Sequence, residues 1–143
     1  MKQDEFLTVL LIEPERYPKV VQIGSDLKSL QQAVGGWIEA VYPWEDKAAI
    51  ILNEEGKINQ LPLNRALRTE DGEIYDITAG NMLVVGLGEE NFTSLTKDQL
   101  SHYEKLFHQP ETFIRLGDHL MAFPIPDKTV QCAEKAQEHS PKA

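Results

Sequence analysis

A single cysteine, Cys132, is too little for an internal disulfide or for a zinc site of its own, which fits a reducing compartment. Positive charge is scarce too: 14 Lys+Arg stand against 23 Asp+Glu, a formal charge of -9. That balance argues against a nucleic-acid backbone or an anionic membrane as the main partner. No apolar run approaches the roughly 20 residues that a membrane-crossing helix needs. The first apolar run is cut short by Glu13, unlike the layout of a signal peptide, so a cytoplasmic protein is expected. The 143 residues, 41% hydrophobic, suffice for one core. Composition leaves the function open.

Strand formers fill Phe6 to Ile12, and Glu13-Pro14-Glu15 ends the run because proline has no amide to give a ladder. Lys19 to Ile23 reads as a second strand. Gly24-Ser25-Asp26 starts a helix, with Ser25 as the cap; Leu27, Leu30 and Val34 follow at helical spacing up to Gly35. Trp37 to Tyr42 alternates as a strand with Trp37, Glu39 and Val41 on one face. Ala48 to Leu52 is a compact apolar strand. Asn53-Glu54-Glu55-Gly56 supplies a turn with Gly56 at positive φ, and Lys57 to Gln60 starts a return strand. Pro62 suits the start of one helical turn, on which Leu63 and Leu67 share a face.

Ile74 to Ile77 and Met82 to Val85 complete the expected strands. Thr96 and Gln99 have capping-box spacing ahead of the stripe Leu100, Tyr103, Leu106 and Phe107. The expected architecture is α+β: a single mixed, mainly antiparallel sheet with two helices packed on it. Residues 1–123 would form that domain, and residues 124–143, poor in large apolar groups, a flexible polar C-terminal tail, weakly helical around Val130 to Ala136 and without function.

No nucleophile and base stand at a telling spacing. The cysteine lies in the expected tail, and His102 and His108, six apart on a helix, do not share a face as an i, i+4 metal pair would. Glu54-Glu55 and Glu89-Glu90 read as solvated turn acids. No catalytic residue, metal or cofactor is therefore expected.

The middle of the chain carries Gly35-Gly36-Trp37-Ile38-Glu39, then Asn53-Glu54-Glu55-Gly56, then Leu61-Pro62-Leu63-Asn64-Arg65. In this order and spacing, from about Phe6 to Phe113, the chain resembles the domain-of-unknown-function family 3846, small proteins of phages and conjugative elements. The resemblance implies a mobile-element origin and a cytosolic setting and brings no established reaction. Its blocks fall on Gly35, Gly36, Trp37, Ile38, Glu39, Asn53, Glu54, Gly56, Leu61, Pro62, Asn64 and Arg65. Helix ends and turns explain several of these, leaving Trp37, Glu39, Asn64 and Arg65. A buried Glu39 would need a partner such as Arg65, so these two are either a structural pair or part of a site.

Three functions follow as expectations. The first is a non-catalytic counter-defence protein that sequesters a small nucleotide-type host immune signal. Trp37 or Tyr42 would stack a base, Arg65 or Arg68 and the amides near Gly35-Gly36 would hold phosphate, and Asn64 would read a base or ribose edge. The ligand-binding set is then Gly35, Gly36, Trp37, Glu39, Asn64, Arg65 and Arg68, in a homo-oligomer that engages neither nucleic acid nor membrane directly. The second is an acidic inhibitor or DNA mimic that blocks a host restriction or nuclease enzyme through Glu13/Glu15, Glu54/Glu55, Glu70/Asp71/Glu73 and Glu89/Glu90. The third is a small accessory module with no ligand, acidic only for solubility.

Overall fold

A computed structural model describes residues 5–138. Strands β1 (Phe6–Ile12) and β2 (Lys19–Gly24) form an antiparallel pair, followed by helix α1 (Leu27–Val34). Then come β3 (Ile38–Val41), β4 (Ala48–Asn53), β5 (Leu63–Arg68), β6 (Ile74–Ala79), β7 (Met82–Leu87) and β8 (Phe92–Thr93). Helix α2 (Lys97–Leu106), strands β9 (Glu111–Leu116) and β10 (His119–Pro124), and helix α3 (Asp127–Glu138) complete the order. The main sheet runs β2-β1-β7-β4-β3, with the short β8 added to β7. Strands β5 and β6 form one separate two-stranded ribbon and β9 and β10 another. Every described strand pair is antiparallel.

The main sheet is covered on both faces, so its central strands β4 and β7 are apolar without alternation. Leu30 and Val34 of α1 pack on one face, against Leu7, Val9, Ala49, Ile51, Leu83 and Val85. Tyr103 and Phe107 cover the other with Leu67, against Leu10, Ile12, Ile50, Met82 and Val84. Each such Leu, Ile or Val removed from water contributes about 1.5–3 kcal/mol, making this two-sided core the main source of stability.

The capping-box expectation holds: Thr96 Oγ1 accepts from Gln99 N at 3.1 Å and Gln99 Oε1 accepts from Thr96 N at 3.0 Å. Gly35 ends α1 at φ 80, the left-handed region where a Cβ is costly. The N-cap of α1 is Asp26 rather than Ser25; its carboxylate accepts from the Ser29 amide and hydroxyl.

Four further expectations are corrected. Lys57 to Gln60 is a helical turn, not a return strand, with Asn59 N donating to Glu55 O and Leu61 N to Gly56 O. Gly56 does not take positive φ; a Cβ there would lie 2.9 Å from the Ala79 carbonyl, so close approach of two backbones sets the residue. Leu63 to Leu67 is strand, not helix: a spacing of four places two residues on one face of either element. The β5–β6 register shifts between Leu63 and Ala66, which interrupts alternation and buries the neighbours Asn64 and Arg65 together.

The fourth correction concerns the C-terminal part. Two ribbons accompany the main sheet and three helices replace the expected two. The boundary after residue 123 falls inside β10, and the tail expected to be flexible folds as α3, which contains the helix expected around Val130 to Ala136 and buries Val130 to 1% exposure. Helix α3 reaches back to the β1–β2 connection: Tyr17 Oη donates to Asp127 at 2.8 Å, and Tyr17 N to Glu134 Oε1 at 2.8 Å. The last five residues, 139–143, lie outside the described part.

Candidate functional site

The strand register places the first two sequence blocks at one end of the main sheet, and the third, on the separate β5–β6 ribbon, is joined to it there through Asn64. Ile38 pairs with Asn53 and Ile12 with Met82, so the starts of β3 and β7 meet the ends of β1 and β4 there. A cleft of about 560 Å3 opens at this end, walled by Glu13 to Arg16, the last turn of α1 with Gly35, the turn Leu61-Pro62, and Gly80-Asn81.

The block residues build this cleft more than they line it. Buried Asn64 donates through Nδ2 to the Ile12 and Gly80 carbonyls, both at 2.8 Å, fixing two of the converging segments. Arg65, 1% exposed, lies among main-chain carbonyls: Nε donates to Phe107 O at 3.0 Å, Nη1 to Asn64 O at 3.3 Å, and Nη2 to Arg16 O at 2.6 Å. Nη1 also meets Asn64 Oδ1 at 2.9 Å. Burial pulls the guanidinium down to about 10 while the charge of Glu111 opposes the shift, so it stays cationic at neutral pH. Carbonyl dipoles, rather than a carboxylate in contact, hold this charge. Asn53 ties the first block to the second: Nδ2 donates to Val34 O at 3.2 Å and Oδ1 accepts from Glu55 N at 2.8 Å.

These contacts overturn the expected cationic hollow. Asn64 and Arg65 are sealed and offer nothing to a ligand. Arg68 is engaged by Glu111, through Nη2 to Oε2 at 2.5 Å and Nη1 to Oε1 at 3.3 Å, and the same carboxylate accepts from Ala66 N. Glu39 is exposed, opposite Leu52 on the edge strand, and pairs with no arginine among the described residues. Trp37 is 67% exposed at the same end of the sheet but is not part of the cleft wall. The amides of Gly35 and Gly36 are already spent on the Gln31 carbonyl, at 2.8 and 3.0 Å, so neither can hold phosphate. Of the expected ligand-binding residues, Gly35 alone lines the cleft.

Sequence reasoning missed the groups that do face it: Arg16, Gln32 and Asn81. Arg16 follows Glu15, a non-glycine residue at φ 65, a conformation that costs about 1–2 kcal/mol and must be held by its surroundings. Asn81 Nδ2 donates to Ala33 O at 3.2 Å, closing the open end of α1. Glu13 is neutralised by Lys19 at 3.1 Å. Only the turn character of Glu13-Pro14-Glu15 hints at this wall, and turn residues alone do not mark a site.

The acidic clusters do not form one row. Glu13/Glu15 and Glu54/Glu55 follow β1 and β4 at the cleft end, Glu89/Glu90 follow β7 at the opposite end, and Glu70 to Glu73 cap the β5–β6 ribbon. His108 is exposed, with Nδ1 2.7 Å from Glu104 and its ring stacked on Tyr17 at 4.8 Å. Among the described residues no cluster of His, Cys, Asp and Glu could hold a metal, and no helix is long and apolar enough to cross a membrane.

No curated protein and no solved structure matches the chain significantly. A family model does, over residues 7–108, from β1 through α2 and short of the β9–β10 ribbon and α3. On that match the chain belongs to the family described as Domain of unknown function (DUF3846).

Proposed function

We propose that this protein is a non-catalytic accessory protein of a phage or mobile element, and that it sequesters a small nucleotide-type ligand in the cleft at the end of the main sheet. The supporting observation is that all three sequence blocks shape or brace this one cleft, through Gly35, Asn53, Leu61, Pro62, Asn64 and Arg65. Arg16 takes the role first expected of Arg65, supplying the cation, with Gln32 and the Asn81 side-chain oxygen as hydrogen-bonding edges. The walls limit the charge of the ligand. The C-terminal end of α1 is the negative pole of its dipole, and Glu15 adds a carboxylate, so a triphosphate is repelled where a singly charged phosphodiester is tolerated. Cyclic mono- and dinucleotides are therefore the favoured class, consistent with capture of a host immune signal.

The test is a thermal-shift and calorimetric comparison of cyclic nucleotides with ATP, on the parent protein and on Arg16→Ala. The Arg16 carbonyl, not its side chain, receives Arg65, so the variant keeps its fold. Stabilisation by a cyclic nucleotide, absent with ATP and lost in Arg16→Ala, is the expected result. A flat response to every cyclic nucleotide, or one that survives the substitution, rejects the reading.

A further inference from the structure

We propose that Glu134 of α3 is a positioning residue for the cleft: by holding the Arg16–Tyr17 peptide unit, it sets where the Arg16 side chain stands. That unit is gripped on both sides. Its oxygen accepts from the buried Arg65 Nη2 at 2.6 Å, and its N–H, the Tyr17 amide, donates to Glu134 Oε1 at 2.8 Å. A cation at the oxygen and a carboxylate at the amide polarise one dipole in the same sense, so each bond strengthens the other. Just ahead, Arg16 N donates to Glu13 O at 3.2 Å, and Glu15 at φ 65 turns the chain. The main chain of Arg16 is thus fixed before and after its Cα, where the residue lines the cleft.

Helix α3 is placed to deliver this carboxylate. Asp127, Val130 and Glu134 follow at helical spacing on one face. Val130, 1% exposed, anchors that face, and the two acids flank it. Asp127 accepts from the Tyr17 hydroxyl at 2.8 Å and the Tyr17 ring stacks on His108, so the residue after Arg16 is held at its amide, its ring and its hydroxyl. Ahead of the helix, Ile125 N donates to Pro110 O at 2.9 Å and Gln109 Nε2 to Ile125 O at 2.8 Å, which ties its start to the loop after α2. Glu134 is half-buried, and no salt bridge engages it among the described residues. The cleft wall runs from Glu13 to Asn81 and the family match over residues 7–108, whereas α3 lies beyond both. A helix outside the matched segment therefore sets the arginine of the cleft wall. The effect on ligand affinity rests on the cleft reading above; the restraint on Arg16 does not.

Three readings on the full chain test the restraint: hydrogen exchange at the Tyr17 amide, nitrogen relaxation of the Arg16 Nε–H group, and trypsin cleavage of the Arg16–Tyr17 bond. Glu134→Ala should speed exchange and cleavage at least about tenfold and loosen the Arg16 side chain. Glu134→Gln keeps an acceptor oxygen and should stay nearer the parent protein. Thr96→Ala, which weakens the start of α2, controls for lost stability and should leave all three readings near the parent. Calorimetry with cyclic AMP and cyclic di-AMP adds the effect on the cleft, where Glu134→Ala should bind the probe several-fold more weakly. Unchanged readings in a folded Glu134→Ala overturn the proposal whatever the cleft binds, and so does a Tyr17 amide that exchanges at the rate of an unstructured chain in the parent protein. A restraint lost with no change in probe affinity removes Glu134 from the positioning of the cation. A parent protein that binds neither probe rejects the cleft reading instead, and the three restraint readings still decide the role of Glu134.

Discussion

Arg65 donates through Nη2 to the main-chain carbonyl of Arg16 at 2.6 Å, so a buried cation sets the position of the arginine on the cleft wall. The same guanidinium reaches Phe107 O, directly after α2, and thereby joins the β1–β2 connection, the β5–β6 ribbon and the helix end. Removing it leaves buried carbonyls without donors, at about 1–3 kcal/mol for each. Arg65→Met, close in length, should cost about 3 kcal/mol in all, or roughly 10 °C in Tm. Thermal and urea melts measure this. A melting curve unchanged from the parent protein would remove Arg65 from the framework and return it to the candidate ligand contacts.

Gly36 makes room for a neighbouring block rather than turning the chain. A Cβ built on it would lie 2.8 Å from Asn53 Nδ2, the atom that donates to the Val34 carbonyl. Gly36→Ala must push the amide off that bond or shift the end of α1, and overpacking of this kind costs about 1–3 kcal/mol. We expect a loss of stability with the same cooperativity. Pairing it with Asn53→Ala, which relieves the clash, should bring the double variant to no more than the cost of Asn53→Ala alone; additive losses would show that the two residues act separately.

Thr96 and Gln99 satisfy each other's backbone amides at the start of α2. Thr96→Ala removes one half of the box and should cost about 1 kcal/mol, whereas Thr96→Ser should cost much less because it keeps the oxygen. Equilibrium urea unfolding resolves the difference, and equal losses would mean that the threonine methyl, not its hydroxyl, carries the effect.

What could be read ahead of the structure was local. The capping box, the glycine that ends α1 and the apolar runs of β1, β4 and β7 each announce themselves within a few residues, because propensity and burial pattern act at that range. The role of Arg65 could not be read this way, since two of its three main-chain carbonyl partners lie 42 and 49 residues away and carbonyls leave no mark in a sequence. An arginine next to an asparagine after a proline turn looks like a ligand contact until the register shift in β5 is known. The β9–β10 ribbon does carry a local signal: Gly117-Asp118, with Gly117 at φ 61, between two runs of strand formers. Arg16 and Asn81 belong to turns, and only the meeting of β1 with β7 gives them a common cleft.

Tyr103 and Asp46 make stability depend on pH at both extremes. The Tyr103 hydroxyl donates to Asp46 Oδ2 at 2.6 Å, and Gln99 Nε2 and Lys47 N donate to the same carboxylate. Burial raises the phenol above its ordinary range, and the hydrogen bond with Asp46 and the charge of that carboxylate add to the shift. The hydrogen bond from Tyr103 also lowers Asp46, aided by Gln99 and Lys47 and opposed by burial. For the tyrosine, raised in the folded state, the stabilisation is complete below about pH 10, where the unfolded chain begins to ionise, and is lost as pH rises towards the folded pKa. For the aspartate, lowered in the folded state, stabilisation is present above about pH 4 and is lost as pH falls through the folded value. Tyr103→Phe keeps the ring against Trp44, 4.3 Å between centroids, and deletes only the hydroxyl. It should cost about 1–2 kcal/mol at neutral pH. Urea melts at neutral pH and above about pH 10 should then show the difference between parent and variant narrowing as pH rises, because only the parent has a buried phenol to ionise. A difference that is constant across that range would place the alkaline titration elsewhere in the chain.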